Sequence, residues 1–411
     1  MKILFVSHYL RLDGAPIALF ELIKELTSTK NIDISVLSFF DGPLKSWYER
    51  IKIYPTIKNY HETNRENIKN LSNYIKKEKF DIIVANTLDT INLCYAANIV
   101  KKPVILSAHE DWPQVNFSTL HLFAFKVSDL ILFYSSSQQK TYKPILNGIK
   151  NNVVTNGISF EKFALKVTDE DTEKIKLKNN LPTDKKIISI VGTICSRKKQ
   201  DVFIRAANEI LKQRKDLLFL IVGLYNEKDL YYQLLRKYIK TANLEDKILF
   251  LGSKENMEEI YQISDLIVSA SSNDIVPNVL IEALASKKPV VGTNINSIPK
   301  LIQNNGIIVE PNDTKQMEKA ILDILNDYDS FKEEVNKNYS KLKSRYDIKT
   351  SAKEFLSFAQ KVKFKEKSCE VRLSKSEVSF IAKNGLSLNY KEFTPLITRK
   401  KSSEINPDYS R

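Results

Sequence analysis

Cysteine is scarce, with Cys94, Cys195 and Cys369 odd in number and far apart in a chain of 411 residues. That usage excludes a disulfide framework and a thiolate metal cluster, and it fits a reducing cytoplasm. Glycine (10) and proline (13) are too few for a fibrous or low-complexity chain. Long apolar runs are missing as well. The opening MKILFVSHYL breaks its apolar run at Ser7, too early for the core of a signal peptide. No stretch approaches the roughly 20 apolar residues of a membrane span, so any membrane contact is expected to be peripheral. Acidic residues are in deficit: 49 Asp and Glu face 63 Lys and Arg, for a formal charge of +14. The excess favours an anionic partner, whether nucleic acid, a nucleotide diphosphate or an anionic lipid surface. No nucleic-acid partner is expected, because the basic residues are dispersed and no recognition module is visible.

What is present is a soluble globular composition, 43% hydrophobic and 27% charged. The length exceeds the roughly 300 residues at which single cores stop growing, so two domains are expected. Short β-rich runs alternate with amphipathic segments from the first residue, the pattern of an α/β chain with parallel sheets. In the first half these runs are Ile3 to Ser7, Ile32 to Phe39, Phe80 to Thr87, Pro103 to His109 and Ser128 to Ser136. Between them, Ala18, Leu19, Leu22, Ile23 and Leu26 recur at helical spacing. A polar stretch, Lys166 to Lys186, reads as an interdomain linker. A second series follows at Ile187 to Thr193, Leu217 to Gly223, Lys247 to Gly252, Asp265 to Ser271, Pro289 to Thr293 and Gly306 to Pro311. The expected organisation is two doubly wound Rossmann-like domains, 1–165 and 187–335, facing a central cleft. C-terminal helices at 336–364 then return to the first domain, and a basic tail of opaque role, 365–411, contains a candidate hairpin.

Ligands in doubly wound sheets bind at the carboxyl ends of the strands, near a topological switch point. Two constellations sit at such ends. In VGTICSRKKQD, a glycine ends a strand and a helix starts near Asp201, with Arg197 and Lys198 between them. This is either a diphosphate cradle, where free amides and cations converge on an anion, or a solvated basic turn. In SASSNDIVPNVLIEALASKKPVV, Asp274 follows a strand end and Glu282 lies one turn into the helix that begins near Pro277. Alone, the carboxylates read equally as a turn residue and a surface residue. The amides of Val276, Asn278 and Val279, without intrahelical acceptors, tilt this segment toward a hydroxyl or phosphate ligand.

The run from Ile187 to about Asn326 resembles the donor-binding domain of the retaining GT-B glycosyltransferases of family 4, group 1. VGTICSRKKQDVFI is similar to the family's phosphate loop, SNDIVPNVLIEALASKKPVV to its E-x7-E segment, and VVTNGISFEKF to the run that ends its first domain. LDGAPIALFELIKEL near the start and SAHE at Ser107 to Glu110 extend the likeness to most of the chain, in the right order. The resemblance implies that Arg197 and Lys198 neutralise the donor diphosphate, with Gly192 and Thr193 in the same loop. Glu282 would hold the nucleotide ribose and Asp274 would contact the transferred sugar. His109 matches a histidine near the reaction centre, and Gly14 and Ala15 match a glycine-rich loop that lets backbone approach the diphosphate and acceptor. Nucleobase recognition is expected from loop backbone near Ser253 to Asn256.

The implied activity is transfer of a sugar from a UDP- or GDP-sugar to a glycan or lipid-linked acceptor with retention, in bacterial cell-surface polysaccharide or glycolipid synthesis. The implied mechanism is same-face displacement with no cofactor and no metal. The one D-x-D string, Asp169 to Asp171, lies in the polar stretch and reads as solvated. Three departures from the family pattern stand out. Asp274 replaces a glutamate, Thr193 replaces an arginine, and NSIPK replaces GG.PE, placing Asn296, Ser297 and Lys300 there. They feed a second reading, a catalytically silent adaptor or sugar-binding partner of another glycosyltransferase. Between Lys45 and Lys79, nine basic residues interleave with Trp47, Tyr48, Ile51, Ile53 and Tyr54. That mix suits either a peripheral contact with the inner face of a membrane or an ordinary charged helix face.

Overall fold

The computed structural model describes residues 1–110, 118–164 and 168–365. Its first sheet holds β1 (Lys2–Tyr9), β2 (Asp33–Phe40), β3 (Thr56–Ile57), β4 (Ile82–Asn86), β5 (Val104–Ser107), β6 (Leu130–Phe133) and β7 (Asn151–Val153). Their order is β3-β2-β1-β4-β5-β6-β7, and every strand pair is parallel. The second sheet holds β8 (Lys186–Val191), β9 (Leu217–Val222), β10 (Ile248–Gly252), β11 (Leu266–Ser269), β12 (Val290–Thr293) and β13 (Gly306–Val309). It runs β10-β9-β8-β11-β12-β13, also parallel. Strands covered on both faces by helices must be apolar throughout rather than alternating. Accordingly, β9 (LLFLIV) is buried at all six positions. The order reverses between β1 and β4 in one sheet and between β8 and β11 in the other, so each sheet has a switch point there.

Five of the seven first-sheet strands and all six of the second coincide with the apolar runs of the sequence. The two others, β3 and β7, are a two-residue edge and the polar Asn151–Val153. Their pairing comes from the strand beside them and leaves no apolar pattern. The polar stretch expected to be a linker instead forms a helix, Asp169–Lys178, closed reciprocally by Thr168 and Asp171 in a capping box. Lys178 of that helix bonds Glu259 at 2.8 Å, tying it to the second domain. The D-x-D string is thus the exposed first turn of a helix. The candidate hairpin lies in 366–411, outside the described residues.

After the second sheet the chain is helical, at Thr314–Asn326, Tyr328–Tyr346 and Ile348–Ala359. The last helix crosses back and buries Ala352, Phe355 and Ala359 in the first-domain core, with the Phe355 ring 5.6 Å from Phe5. The two passages between domains pair with each other. Ile158 N–H donates to Tyr346 O at 2.9 Å, and Ile348 N–H donates to Ile158 O at 2.8 Å. A Cβ at Gly157 would stand 2.3 Å from Ser351 Oγ and 2.9 Å from Ile348 Cα, so only glycine admits this approach.

The segment suited to a membrane turns its apolar residues inward. Tyr48 is fully buried, and Trp47, Ile51 and Ile53 pack on the same core. Tyr54 alone of the five is exposed, at 74%. No helix among the described residues is long and apolar enough to cross a membrane.

Truncating Phe355 empties a site between the last helix and β1. Phe355→Ala is expected to cost about 3 kcal/mol or more and to lower the melting temperature by several degrees. An unchanged melting curve would show that the returning helix is not part of the first-domain core.

Candidate functional site

The carboxyl ends of the two sheets face each other across a cleft of about 620 Å3. On the second-domain side, β8 is followed by Gly192, whose φ of 141° leaves its α-carbon beside Lys198, with the Lys198 Cε 3.3 Å from where a Cβ would stand. At Gly223, after β9, a Cβ would fall 2.0 Å from Gly192 O. Glycines at both strand ends therefore let the backbones and the Lys198 stem converge. The chain then makes a tight turn, Ser196–Lys198, and enters the helix Gln200–Gln213 through Lys199 in the left-handed region.

This turn and the loop after β11 are fastened to each other. Arg197 O accepts from Ser272 N–H at 2.9 Å and from Ser272 Oγ at 3.2 Å. Arg197 Nη1 donates to Asn273 O at 3.0 Å and to Asp274 Oδ1 at 2.7 Å. Lys198 Nζ donates to Asp274 Oδ2 at 2.6 Å. Burial opposes ionisation of Asp274, but Lys198 and then Arg197 outweigh it and hold its carboxyl below the ordinary range. The residues expected to divide the work between diphosphate and sugar thus touch one another.

The NSIPK departure supports this loop from behind. Asn296 Nδ2 donates to Asn273 Oδ1 at 3.0 Å and to Asp274 O at 2.9 Å. Ser297 Oγ donates to Ile275 O. Lys300 is exposed on the helix Ile298–Ile302 and does not line the cleft.

Beyond Asp274, Pro277 in extended conformation caps the helix Asn278–Ala285. Its first-turn amides, with those of Val276 and Val279, border the cleft. Glu282 Oε2 accepts from the buried Tyr261 hydroxyl at 2.5 Å. Burial raises the Glu282 carboxyl above the usual range, and the Tyr261 bond works against that rise. Ser253 to Glu255 line the same end of the cleft.

The first-domain wall is built at the β1 and β4 ends. Gly14 and Ala15 open the helix Gly14–Leu26, whose N-cap Asp13 makes no cap bond with its side chain. Asp13 Oδ1 instead accepts from Thr193 Oγ1 at 3.1 Å, across the cleft. Further side-chain pairs among the described residues bridge the domains, among them Ser137 to Asn296 at 3.3 Å, Asn156 to Asn278 at 2.6 Å and Lys162 to Glu258 at 3.3 Å. His109 lies with Nε2 2.9 Å from Asn86 Oδ1 and its ring stacked 4.1 Å from Tyr134. Burial, then the neighbouring His8, pushes its pKa down to about 3, so it is neutral at physiological pH. Glu110 Oε2 accepts from Leu88 N–H at 3.0 Å and His109 N–H at 3.1 Å. Burial pushes its carboxyl up to about 8.

Every candidate site residue drawn from the sequence therefore borders this cleft: His109, Gly14 and Ala15 on one wall, and Gly192, Thr193, Arg197, Lys198, Asp274, Val276, Pro277, Asn278, Val279 and Glu282 on the other. Sequence reasoning missed Asp13, Glu110, Tyr261 and the supporting role of Asn296. Asp13 precedes the Gly14 motif and was within reach as an N-cap. Tyr261 and Asn296 act through contacts 21 and 22 residues distant, which no local pattern encodes.

With this geometry, residues 171–342 match the family described as glycosyl transferases group 1. The chain is 25% identical over 324 residues to the Escherichia coli UDP-Gal:alpha-D-GlcNAc-diphosphoundecaprenol alpha-1,3-galactosyltransferase, covering 74% of this chain and 82% of that protein. It is 24% identical over 382 residues to a Campylobacter jejuni undecaprenol-linked alpha-1,4-N-acetyl-D-galactosaminyltransferase, covering 88% of this chain and 99% of that one. Among solved structures, Anabaena Alr3699/HepE in complex with UDP and glucose superposes with a TM-score of 0.78 at 20% identity, covering 88% and 99% of the two chains.

Glu110 gives the first domain a testable pH signature. Its folded pKa lies above the ordinary glutamate value of about 4.3, so the fold retains a proton there that the unfolded chain has lost. The stability this contributes is complete below about pH 4.3 and is lost as pH rises toward about 8, at no more than about 1.4 kcal/mol per pH unit. Glu110→Gln is expected to flatten the decline in urea stability between pH 5 and 8. Equal slopes in the two proteins would show that Glu110 ionises normally.

Proposed function

We propose that this protein, a group 1 glycosyltransferase on the GT-B fold, moves a sugar from a nucleoside-diphosphate donor to a glycan or lipid-linked acceptor with retention and without a metal. The observation that carries this reading is the cradle at the second-domain switch point. Two cations, Arg197 and Lys198, line one cleft with the start of the helix Asn278–Ala285, and Glu282 lies one turn further in. Such a set matches a diphosphate joined to a ribose on one side and a sugar on the other. The relatives named above act on undecaprenol diphosphate-linked acceptors, which supports an acceptor of that class.

Arg197, Lys198 and the loop through Gly192 and Thr193 take the diphosphate, while Val276, Asn278 and Val279 offer amides. Glu282, its other oxygen engaged by Tyr261, takes the ribose hydroxyls. Asp274 meets the transferred sugar. His109 is neutral, so it serves as a hydrogen-bonding partner for the sugar and adds no charge. Gly14 and Ala15 bring the amide end of the first helix toward the leaving phosphate. In same-face displacement the acceptor hydroxyl attacks beside the departing nucleotide, and a phosphate oxygen takes its proton. The barrier then falls with stabilisation of the leaving diphosphate, the task suited to preorganised cations and amides. A silent adaptor gains no support from the departures. Asp274 is integrated into the cradle, Asn296 and Ser297 brace it, and Lys300 lies outside the cleft.

Turnover of UDP-, GDP- and CMP-sugars tests the reading, and neither turnover nor nucleotide binding across the panel would sink it. In the wild type, UDP or GDP at about 100 times its Kd should add about 2.7 kcal/mol to stability, seen as a rise in melting temperature. Glu282→Ala is expected to abolish that rise, and an undiminished rise would remove Glu282 from the ribose site. Lys198→Ala loses a charge-assisted bond and should weaken nucleotide binding about tenfold or more. Unchanged affinity by calorimetry would take Lys198 out of the cradle.

A further inference from the structure

We infer that Asp274 is a built-in counter-ion for Arg197 and Lys198, displaced by the diphosphate of an incoming nucleotide and returning when the sugar has left. This rests on the donor role proposed for the cleft and concerns how that site loads and empties. Each Asp274 oxygen is spent on a different cation, at 2.7 Å to Arg197 and 2.6 Å to Lys198. The contact is sheltered on the lysine side, with the side chains of Asp274 and Lys198 only 12% and 15% exposed, while Arg197 at 41% faces the open cleft. A diphosphate drawn to the same cations would place its anionic oxygens against this carboxylate, where like charges in a poorly solvated site repel strongly. The carboxylate and the diphosphate compete for the same two cations, so binding loosens the hold of the carboxylate on them.

The surroundings permit that movement in the side chain and resist it in the backbone. Asn296 holds Asp274 O at 2.9 Å and Asn273 Oδ1 at 3.0 Å, and Ser297 holds Ile275 O. Asn296 itself sits in the left-handed region, φ 44°, and accepts from Ser137 of the first domain at 3.3 Å. Asn296 is therefore a positioning residue that aims Asp274 at the cations. When a nucleotide sugar binds, the displaced carboxylate gains the hydroxyls of the transferred sugar in place of the cations. A nucleoside diphosphate offers no such hydroxyls. After transfer the sugar hydroxyls are gone, and the return of Asp274 to the cations helps expel the product.

The measurement is calorimetric binding of UDP, GDP and inorganic pyrophosphate to the full chain at low and high salt. Asp274→Asn is expected to bind UDP and pyrophosphate about tenfold more tightly than the wild type, because the competing charge is gone, and with a steeper salt dependence. Asp274→Glu keeps the charge and is expected to restore the weaker binding. Asn296→Ala frees the carboxylate from its aim and is expected to tighten pyrophosphate binding in the same direction, which keeps the test available where Asp274→Asn folds poorly. Equal or weaker binding of pyrophosphate by both Asp274→Asn and Asn296→Ala overturns the counter-ion role and leaves the donor site standing. A wild type that binds none of the three probes overturns the donor reading and this inference together.

Discussion

Two backbones crossing between the domains at van der Waals distance set the geometry of the whole molecule. Where Gly157 passes Ile348, a Cβ would stand 2.9 Å from the Ile348 Cα, and Ile158 exchanges backbone hydrogen bonds with the Tyr346–Ile348 passage. The outgoing chain and the returning helix are thereby locked side by side. Because Phe355 of that helix is buried in the first-domain core while Val335 and Leu342 of the preceding helix are buried in the second, the crossing is anchored at both ends. The consequence is that the carboxyl ends of β1 and β4 look across at those of β8 and β11. Side chains as distant in sequence as Asp13 and Thr193 can then meet.

Ionisable groups buried around the cleft are handled in two opposite ways. At Asp274 charge is kept and paired, since Lys198 and Arg197 hold it ionised against the effect of burial, whereas the Glu282 carboxyl on the same wall is raised by burial. On the first-domain wall charge is suppressed, with His109 pushed down to about 3 and Glu110 up to about 8. In the proposed reaction, neutral hydrogen-bonding groups beside the acceptor hydroxyl do not compete with the phosphate for its proton.

Much of this was legible in the sequence, for an identifiable reason. Strands buried on both faces write themselves as unbroken apolar runs, so β8 to β13 could be read directly, and with them the loops at their carboxyl ends. Arg197, Lys198, Asp274 and Glu282 were found because they lie in those loops or just beyond, within motifs whose spacing is local. Features fixed by partners far along the chain left no such trace. The strand Asn151–Val153 is polar and pairs only because Leu130–Phe133 stands beside it. The helix Asp169–Lys178 is nearly as polar on both sides, and its cap at Thr168 and Asp171 was its one local signal. Tyr48, whose segment suits either a membrane contact or an ordinary charged helix face, is buried under the first helix with its ring 5.0 Å from Phe20. A basic neighbourhood carries no information about which way an aromatic turns.

The departures from the family pattern looked in the sequence like separate losses, and the structure joins three of them. An aspartate is one methylene shorter than a glutamate, so it meets Arg197 and Lys198 only if the backbone at 273–275 is brought close and held. Two glycines in the NSIPK positions would supply no side chain to do this. Asparagine and serine do supply one, and both spend it on the 273–275 backbone. Asparagine also tolerates the left-handed conformation found at 296, where most residues would be strained. Thr193 fits the same logic from the other side. A threonine has no charge to offer a phosphate, but its hydroxyl reaches Asp13 and links the phosphate loop to the first domain. With a threonine at 193, Arg197 and Lys198 are the cations beside this loop, and both are held by the same carboxylate.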